Sequence, residues 1–314
     1  MLPSLTKNMD YPGISILIVT HNRCDALKRC LDSVATQDYP KALLGLAVLD
    51  DASNDPTPLE IPKSLARLQE AGFHKAVFLR NESNLQIAAS RLKLYQEAGV
   101  DSELVLFLDD DAFLEKDCLK SMAGYMAADQ SIGLIAPRVV FNHNRGKTAH
   151  CAKFVDRYTG IIREKDVSAP VSCDWLVSIC QLARKTAFDK SSGFYPGYYT
   201  GYEEVELCLR IKRAGYRVVY YPAAQVRHWE TEGQFKRERS YYLYRNKIIL
   251  IRRNFFFVNQ ITAILFILIF GLPRYCVESM IFHRGICRAE IRLIFLAMWH
   301  GLTGKTGKLR EGYQ

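Results

Sequence analysis

The apolar run Leu104-Val105-Leu106-Phe107-Leu108 ends abruptly on three acids, Asp109-Asp110-Asp111. A short run of branched and aromatic residues with no polar face reads as a strand buried on both sides. Such a strand needs helices over each face, which restricts the chain to an α/β architecture. Three carboxylates at its end repel one another and lose hydration unless a positive group sits among them. A divalent cation with hard oxygen ligands meets that need. If the strand continues, Asp109 and Asp111 share one side and Asp110 faces the other. The plainer alternative is a helix opening near Asp110, since acids suit a first turn.

The N-terminal half carries the alternation that such a strand requires. Ile14–Thr20 reads as a first strand running into the polar turn His21-Asn22-Arg23, followed by a helix over 25–36 with Leu27, Leu31 and Val34 on one face. A second strand over 44–49 ends in the acidic turn Asp50-Asp51-Ala52-Ser53-Asn54-Asp55. The pattern then predicts a helix near 64–71, a strand over 75–79 and a helix over 86–99. This β-α-β order argues for parallel strands flanked by helices. Ligands of such sheets bind beyond the carboxyl ends of the strands, so His21-Asn22, Asp50-Asp51 and the three aspartates should converge on one cleft. Beyond Ile135 the pattern weakens. Residues 191–202, rich in Gly, Tyr and Pro, read as a shaped loop leading to an amphipathic helix that opens with Glu203, Glu204 and Glu206. Strands at 218–221 and 224–228 close the body.

In order along the chain stand T-x-N (Thr20, Asn22), D-D-x-S-x-D from Asp50, N-L-x-x-A-x-x-R from Asn84 to Arg91, D-D-D, Asp174-Trp175, G-Y-E-E-V-E-L from Gly201, and V-x-H ending at His228. This order over roughly residues 13–255 resembles the family 2 glycosyltransferases of the GT-A fold, of bacterial surface-glycan type. The resemblance implies a Rossmann-like mixed sheet flanked by helices. It also implies a metal-dependent, inverting transfer of a sugar from a nucleotide-diphosphate donor, by single displacement. Position by position, it implies that Thr20, Asn22, Asp51, Arg91, Asp109 and Asp110 bind the nucleotide-sugar, with Asp51 on the base. Asp109, Asp111 and His228 become ligands for Mn²⁺ or Mg²⁺, with Asp111 the more direct. Glu204 becomes the catalytic base, and Asp174, Trp175 and Glu203 face the acceptor. A UDP-sugar is favoured and a dTDP-sugar is the alternative, since uracil and thymine present the same N3–H.

Chemistry supports these roles independently. The leaving diphosphate must be neutralised as the glycosidic bond breaks, and an acceptor hydroxyl needs a carboxylate within hydrogen-bond reach. Bland alternatives stand beside each role: Asp51 capping its turn with Ser53, Glu203 and Glu206 serving only as helix N-terminal charges, a structural His228, a core Trp175, and an Arg91 that holds the acidic cleft together. Three positions depart from the family pattern. Gln86 stands where it has Gly, Leu92 where it has Asn, and Glu204 where it usually has Asp. A catalytically decayed glycan- or membrane-binding scaffold of the same fold is the rival reading. A nucleotidyltransferase is disfavoured because the turn after the first strand holds no glycine.

Charge divides the chain unevenly. Residues 207–314 hold 19 Lys/Arg against 6 Asp/Glu, whereas residues 1–206 hold 23 against 27. The domain expectation is therefore a catalytic body over 1–240 and a basic, apolar helical region over 241–314. Within it, the apolar stretch 255–272 is near the lower length limit for a bilayer span, and basic residues flank both sides, including Arg253, Arg274, Arg284 and Arg310. Positive-inside bias disfavours translocating either flank. The expectation is a region lying in or dipping into an anionic cytoplasmic leaflet, on the inner face of the cell membrane. A true transmembrane helix and a buried homo-oligomer interface are the alternatives. Long aliphatic stretches, rather than exposed aromatics, argue against nucleic acid as the basic region's partner. A lipid-linked or glycan acceptor would suit membrane attachment. Nine cysteines stand singly and without C-x-x-C spacing, so reduced core thiols are expected rather than a zinc or disulfide framework. Residues 1–13 are polar and lack the apolar core of a signal peptide.

Overall fold

A computed structural model describes residues 11–143, 147–229, 237–274, 277 and 288–309. The sheet is built on β1 (Ile14–Thr20), β2 (Leu44–Asp50), β3 (Lys75–Arg80) and β4 (Leu104–Asp109), all mutually parallel. Every residue of β1 and β2 is buried, as a strand covered on both faces requires. Ile16, Ile18, Val48, Leu106 and Leu108 point to one layer, packed on α1 (Cys24–Ala35), α2 (Thr57–Glu70) and α4 (Cys118–Ala128). Leu17, Leu49, Val105 and Phe107 point to the other, packed on α3 (Ile87–Glu97), α5 (Lys185–Lys190) and α6 (Glu203–Arg213). The two faces alternate residue by residue, which is the strand period.

The second half makes the sheet mixed. Its strands are β5 (Ala112–Leu114), β6 (Ile132–Phe141), β7 (Thr148–His150), β8 (Ala152–Val155), β9 (Ile162–Lys165), β10 (Val171–Ser172), β11 (Cys180–Arg184) and β12 (Arg217–His228). The main order is β10-β12-β6-β11-β4-β1-β2-β3, with β11 antiparallel to both β4 and β6. The mixed α/β sheet flanked by helices is the expected fold class. The segments 218–221 and 224–228 are one strand, β12, with a register shift between Tyr221 and Gln225. Pro222 cannot donate to a ladder and sits in that irregularity.

Three helices differ from the sequence pattern, the short α5 being one that it does not announce. α2 begins at Thr57, several residues earlier than expected, because the Asp55 carboxylate accepts from Thr57 N at 3.0 Å and starts the turn. Pro62 lies inside it at the loss of one internal hydrogen bond. α4 is a helix that the sequence pattern does not announce; its Ala, Gly and Met residues show little amphipathic contrast, and Leu119, Met122 and Met126 are fully buried.

The basic region packs on the body. α7 (Arg237–Asn254) crosses residue 240 and lays Ile248 and Ile251 against Val205 and Leu209 of α6. Arg253 Nε donates to both carboxylate oxygens of Glu206, at 2.9 and 3.2 Å, and Glu206 is 1% exposed. Glu206 is thus an anchor for α7 rather than only a helix-end charge. Asn246 Nδ2 donates to the carbonyls of Thr200 and Gly201, which holds the loop entering α6. α8 (Phe257–Phe266) follows, and later α9 (Arg288–Thr303), which packs on α7. The seven cysteines among the described residues are free and buried; Cys276, Cys287, Arg284 and Arg310 lie outside those residues.

Candidate active site

The parallel register brings the three strand ends together: Thr20 stands opposite Asp50, and Val19 opposite Asp109. Strict alternation does not continue through the triplet. The backbone turns after Asp109, so Asp110 and Asp111 both reach Arg23, whose Nη1 lies 3.2 and 2.6 Å from their oxygens. Asp110 also accepts from Thr20 Oγ1 at 2.7 Å. Thr20 is 2% exposed, so its hydroxyl props the triplet from below rather than facing a ligand, contrary to expectation.

His228 arrives from far along the chain. β5 pairs antiparallel with β12, His228 stands opposite Ala112, and Trp229 N donates to Asp111 O at 3.1 Å. His228 Nε2 then lies 3.2 Å from Asp111 Oδ1. Asp109, Asp111 and His228 each present one ligand atom, all within 4.8 Å of one another. Two carboxylates and an imidazole fit a divalent cation, and carboxylate oxygens suit Mg²⁺ and Mn²⁺.

The electrostatics separate the three acids. Burial pushes Asp109 up despite Arg91, and pushes Asp110 up to about 6 despite Arg23. Asp111 is held below the ordinary range: burial opposes its charge, but His228 and Arg23 outweigh it. Arg91 is 2% exposed, pairs with Asp109 and donates to Ser178 O at 3.1 Å. Expected on the donor, it is instead the buried counter-ion beneath the cleft.

The neighbouring loops are tied to one another. Asn22 N donates to Ser53 Oγ at 2.8 Å, and Asn22 Oδ1 accepts from Asn54 N at 2.7 Å. Asn22 itself is exposed and lines a cavity of about 720 Å³ together with Arg23, Asp55, Asp111 and Trp229. The residue that caps the turn with Ser53 is Asp50, whose Oδ1 accepts from Ser53 N at 3.0 Å. Asp51 accepts instead from Asn81 Nδ2, Leu85 N and Gln86 N, at 2.7, 2.9 and 2.9 Å. A carboxylate has about four acceptor sites, and these donors occupy three while closing the loop before α3.

A second cavity, about 700 Å³, is lined by Glu204, Gln86, His150, Lys153, Trp175 and Tyr202 among others. Glu204 and Glu203 are adjacent acids at the N-terminus of α6. Burial and the Glu203 charge push Glu204 well above the ordinary glutamate range. Glu203 is raised by burial, with Arg91 opposing. Glu203 is 4% exposed and is not among the residues lining this cavity, so its acceptor role does not match its position. Asp174 departs likewise: it accepts from Val155 N at 3.0 Å and pairs with Lys212, which makes it a brace behind Trp175. Trp175 does line the cavity, with Lys153 Nζ 4.8 Å over its ring.

Arg23, Lys153 and His150 are site residues that the sequence reading did not single out. Arg23 sits beside the T-x-N turn, which could have signalled it. Lys153 and His150 lie in the weakly patterned stretch and carry no such signal. Burial holds His150 down to about 4, so it is neutral, and burial also lowers Lys153.

Four non-glycine residues at these strand and helix ends have left-handed φ: Asn22 (56°), Ala52 (62°), Gln86 (67°) and Tyr202 (75°). Such strain collects at sites whose surroundings over-determine it. Gln86, with ψ of 170°, occupies a region suited essentially to glycine. Gln86→Gly is therefore expected to stabilise the fold by about 1 kcal/mol, relief of strain exceeding the added chain entropy. That corresponds to roughly 2–4 °C in Tm. Thermal unfolding of Gln86→Gly beside Gln86→Ala checks it; equal Tm values for the two variants would remove the strain argument.

Residues 15–192 match the family model described as glycosyl transferase family 2, and residues 104–303 match glycosyl transferase family group 2. Glycosyltransferase AglE of Haloferax volcanii is 25% identical over 158 residues, 50% of this chain and 48% of that protein. Rhamnosyltransferase WbbL of Escherichia coli K12 is 25% identical over 230 residues, 69% of this chain and 83% of that protein. The chain thus spans about half the length of one relative and most of the other. The crystal structure of GalNAc-T7 with UDP, GalNAc and Mn²⁺ superposes with a TM-score of 0.69 at 16% identity, over 95% of this chain and 57% of that one. The fold is therefore GT-A, and with family models spanning more than half of its length, the chain belongs to glycosyl transferase family 2.

Proposed function

We propose that the chain is an inverting glycosyltransferase that moves a sugar from a nucleotide-diphosphate donor to a hydroxyl of a glycan or lipid-linked acceptor. The observation that carries this reading is the convergence of a cation-fitting cluster with a cavity-facing carboxyl. Arg91 touches Asp109 and also opposes the rise that burial imposes on Glu203 and Glu204, so one buried cation links the two halves of the site.

Glu204 is the base: its carboxylate takes the proton of the acceptor hydroxyl as that oxygen attacks C1 and the bond to the diphosphate breaks. A glutamate raised toward neutrality is well matched to that task. Glu203 does not line the cavity, and among the described residues Glu204 is the one carboxylate that does, so a single displacement that inverts the anomeric centre fits the site. Asp109, Asp111 and His228 would hold Mn²⁺ or Mg²⁺, which when bound supplies positive charge for the leaving diphosphate. Arg23, whose side chain is 49% exposed, adds a second positive group beside it. Asn22 and the Asp51 loop form the nucleotide side, with a UDP-sugar favoured and a dTDP-sugar the alternative. GalNAc-T7, bound to UDP and Mn²⁺, supports both the donor class and the metal.

The site of action we propose is the cytoplasmic face of the membrane, with residues 241–314 attached peripherally to anionic lipid. The segment Phe257–Arg274 is long and apolar enough to cross a membrane by length and composition, and 11% of it is buried. Phe256, Phe257 and Ile269 are 86%, 75% and 59% exposed. Exposed aromatic and aliphatic side chains near Arg252 and Arg253 suit an interfacial helix.

Thermal unfolding of the full chain with UDP, dTDP, GDP or CDP, each with and without Mn²⁺, tests the reading. A Mn²⁺-dependent rise with UDP or dTDP is expected, worth about 2.7 kcal/mol at a hundredfold excess over Kd. Absence of a shift with every nucleotide would favour the decayed scaffold.

A further inference from the structure

A third cavity, about 450 Å³, adjoins the one holding Glu204: Tyr202 and Leu243 line both. Its far wall is Phe266, Ile267 and Phe270, and its charged residues are Lys247 and Arg274. Among the described residues, no acid lines it. Among the same residues, Lys247 is half-buried and makes no ion pair with a carboxylate. Its pKa is lowered by burial, with no opposing charge. A partly desolvated ammonium without a counter-ion is costly, and an anionic ligand would relieve it. Leu265 and Ile269, next in sequence to Phe266 and Phe270, are exposed apolar side chains.

Three chemistries therefore adjoin one another: a base for a sugar hydroxyl on α6, a cation for a phosphate on α7, and an apolar trough for a chain at the end of α8 and the helical turn Ile267–Gly271 that follows it. We propose that the acceptor is a lipid-phosphate-linked sugar, with its phosphate on Lys247 and the first part of its lipid chain against Phe266, Ile267 and Phe270. This rests on the transferase reading above and narrows its acceptor. A free glycan would leave Lys247 bare and the trough wet, whereas the sugar-phosphate-lipid order matches the order of the wall.

The test is calorimetric titration of the detergent-solubilised full chain, without divalent metal, using farnesyl phosphate, farnesol and inorganic phosphate as probes. Farnesyl phosphate is expected to bind at least about tenfold more tightly than either partial probe, the size of a charge-assisted hydrogen bond. Lys247→Ala should reduce its affinity to that of farnesol, Lys247→Arg should restore it, and Phe270→Asp, at a position 58% exposed, should abolish it. UDP with Mn²⁺ should neither displace the lipid nor lose its own thermal shift in Lys247→Ala. Equal affinity for farnesol and farnesyl phosphate, indifference to Lys247→Ala, or displacement by UDP with Mn²⁺ overturns the assignment. Lys247-dependent lipid-phosphate binding in a wild-type chain that shows no nucleotide shift would sink the transferase reading and leave the cavity assignment standing.

Discussion

Asp111→Ala is expected to abolish the Mn²⁺-dependent nucleotide shift and to lower transfer by roughly 10³-fold or more, on the scale of losing a leading electrostatic contact to the leaving group. Asp111 is the acid of the triplet whose pKa is depressed, held ionised by His228 and Arg23. It also shares the cation-fitting cluster with Asp109 and His228. Alanine leaves one carboxylate and an imidazole, too few donors for a hard cation. It also removes the shorter of Arg23's two carboxylate contacts and leaves the one to Asp110, so some residual diphosphate attraction should survive without metal. Folding should lose some stability, since the depressed pKa of Asp111 means that its pairs with His228 and Arg23 outweigh its burial, so Tm must be read beside activity. Asp110→Asn is the matched control. Asp110 is tied to Thr20 and stands outside the cluster, so its effect should be smaller. Nucleotide release measured against Mn²⁺ concentration, with Tm in parallel, decides the matter. A variant with wild-type metal dependence would remove Asp111 from the metal site.

Glu204→Gln should reduce kcat by about 10²–10⁴-fold while leaving the nucleotide shift unchanged, as expected for a lost general base. The pH dependence carries a sign that separates catalysis from stability. Burial and Glu203 favour the protonated form of Glu204. A base works deprotonated, so activity should fall as pH drops through a midpoint above the ordinary glutamate value of about 4.3. Stability runs the other way. A carboxyl whose folded pKa lies above its unfolded value contributes stability that is complete below the unfolded value. That contribution is lost as pH rises through the folded value. Glu203→Gln removes the neighbouring charge and should move the activity limb to lower pH. A limb that stays in place after Glu203→Gln would show that the two acids are not coupled. A Glu204→Gln enzyme with wild-type kcat would pass the role of base to another group.

Much of this site could be read from apolar runs and the polar residues at their ends. Buried strands such as Ile14–Thr20 and Leu104–Asp109 have no polar face, so their polar ends had to emerge on one edge of the sheet, and Thr20, Asp50 and Asp109 do stand in register. Roles within that edge were harder to read. Thr20, Arg91 and Asp174 carry the right chemistry in the right order, yet each is consumed by a partner inside the protein: Asp110, Asp109, and Val155 with Lys212. A motif specifies which residue types meet; burial and competing donors decide which of them keep a free face.

By itself, the sequence determined the buried parallel strands, the acidic edge, the family, and the acid pair that opens α6, because these depend on local periodicity and on residue order. Only the tertiary structure decided which atoms share a centre. His228 joins Asp111 through the pairing of β5 with β12, across more than a hundred residues. Lys153 and Lys247 become cavity cations because burial strips water from them, not because of any local pattern. Contacts between residues distant in the chain depend on how the sheet closes and where α7 docks on α6, and no short window of sequence contains that geometry.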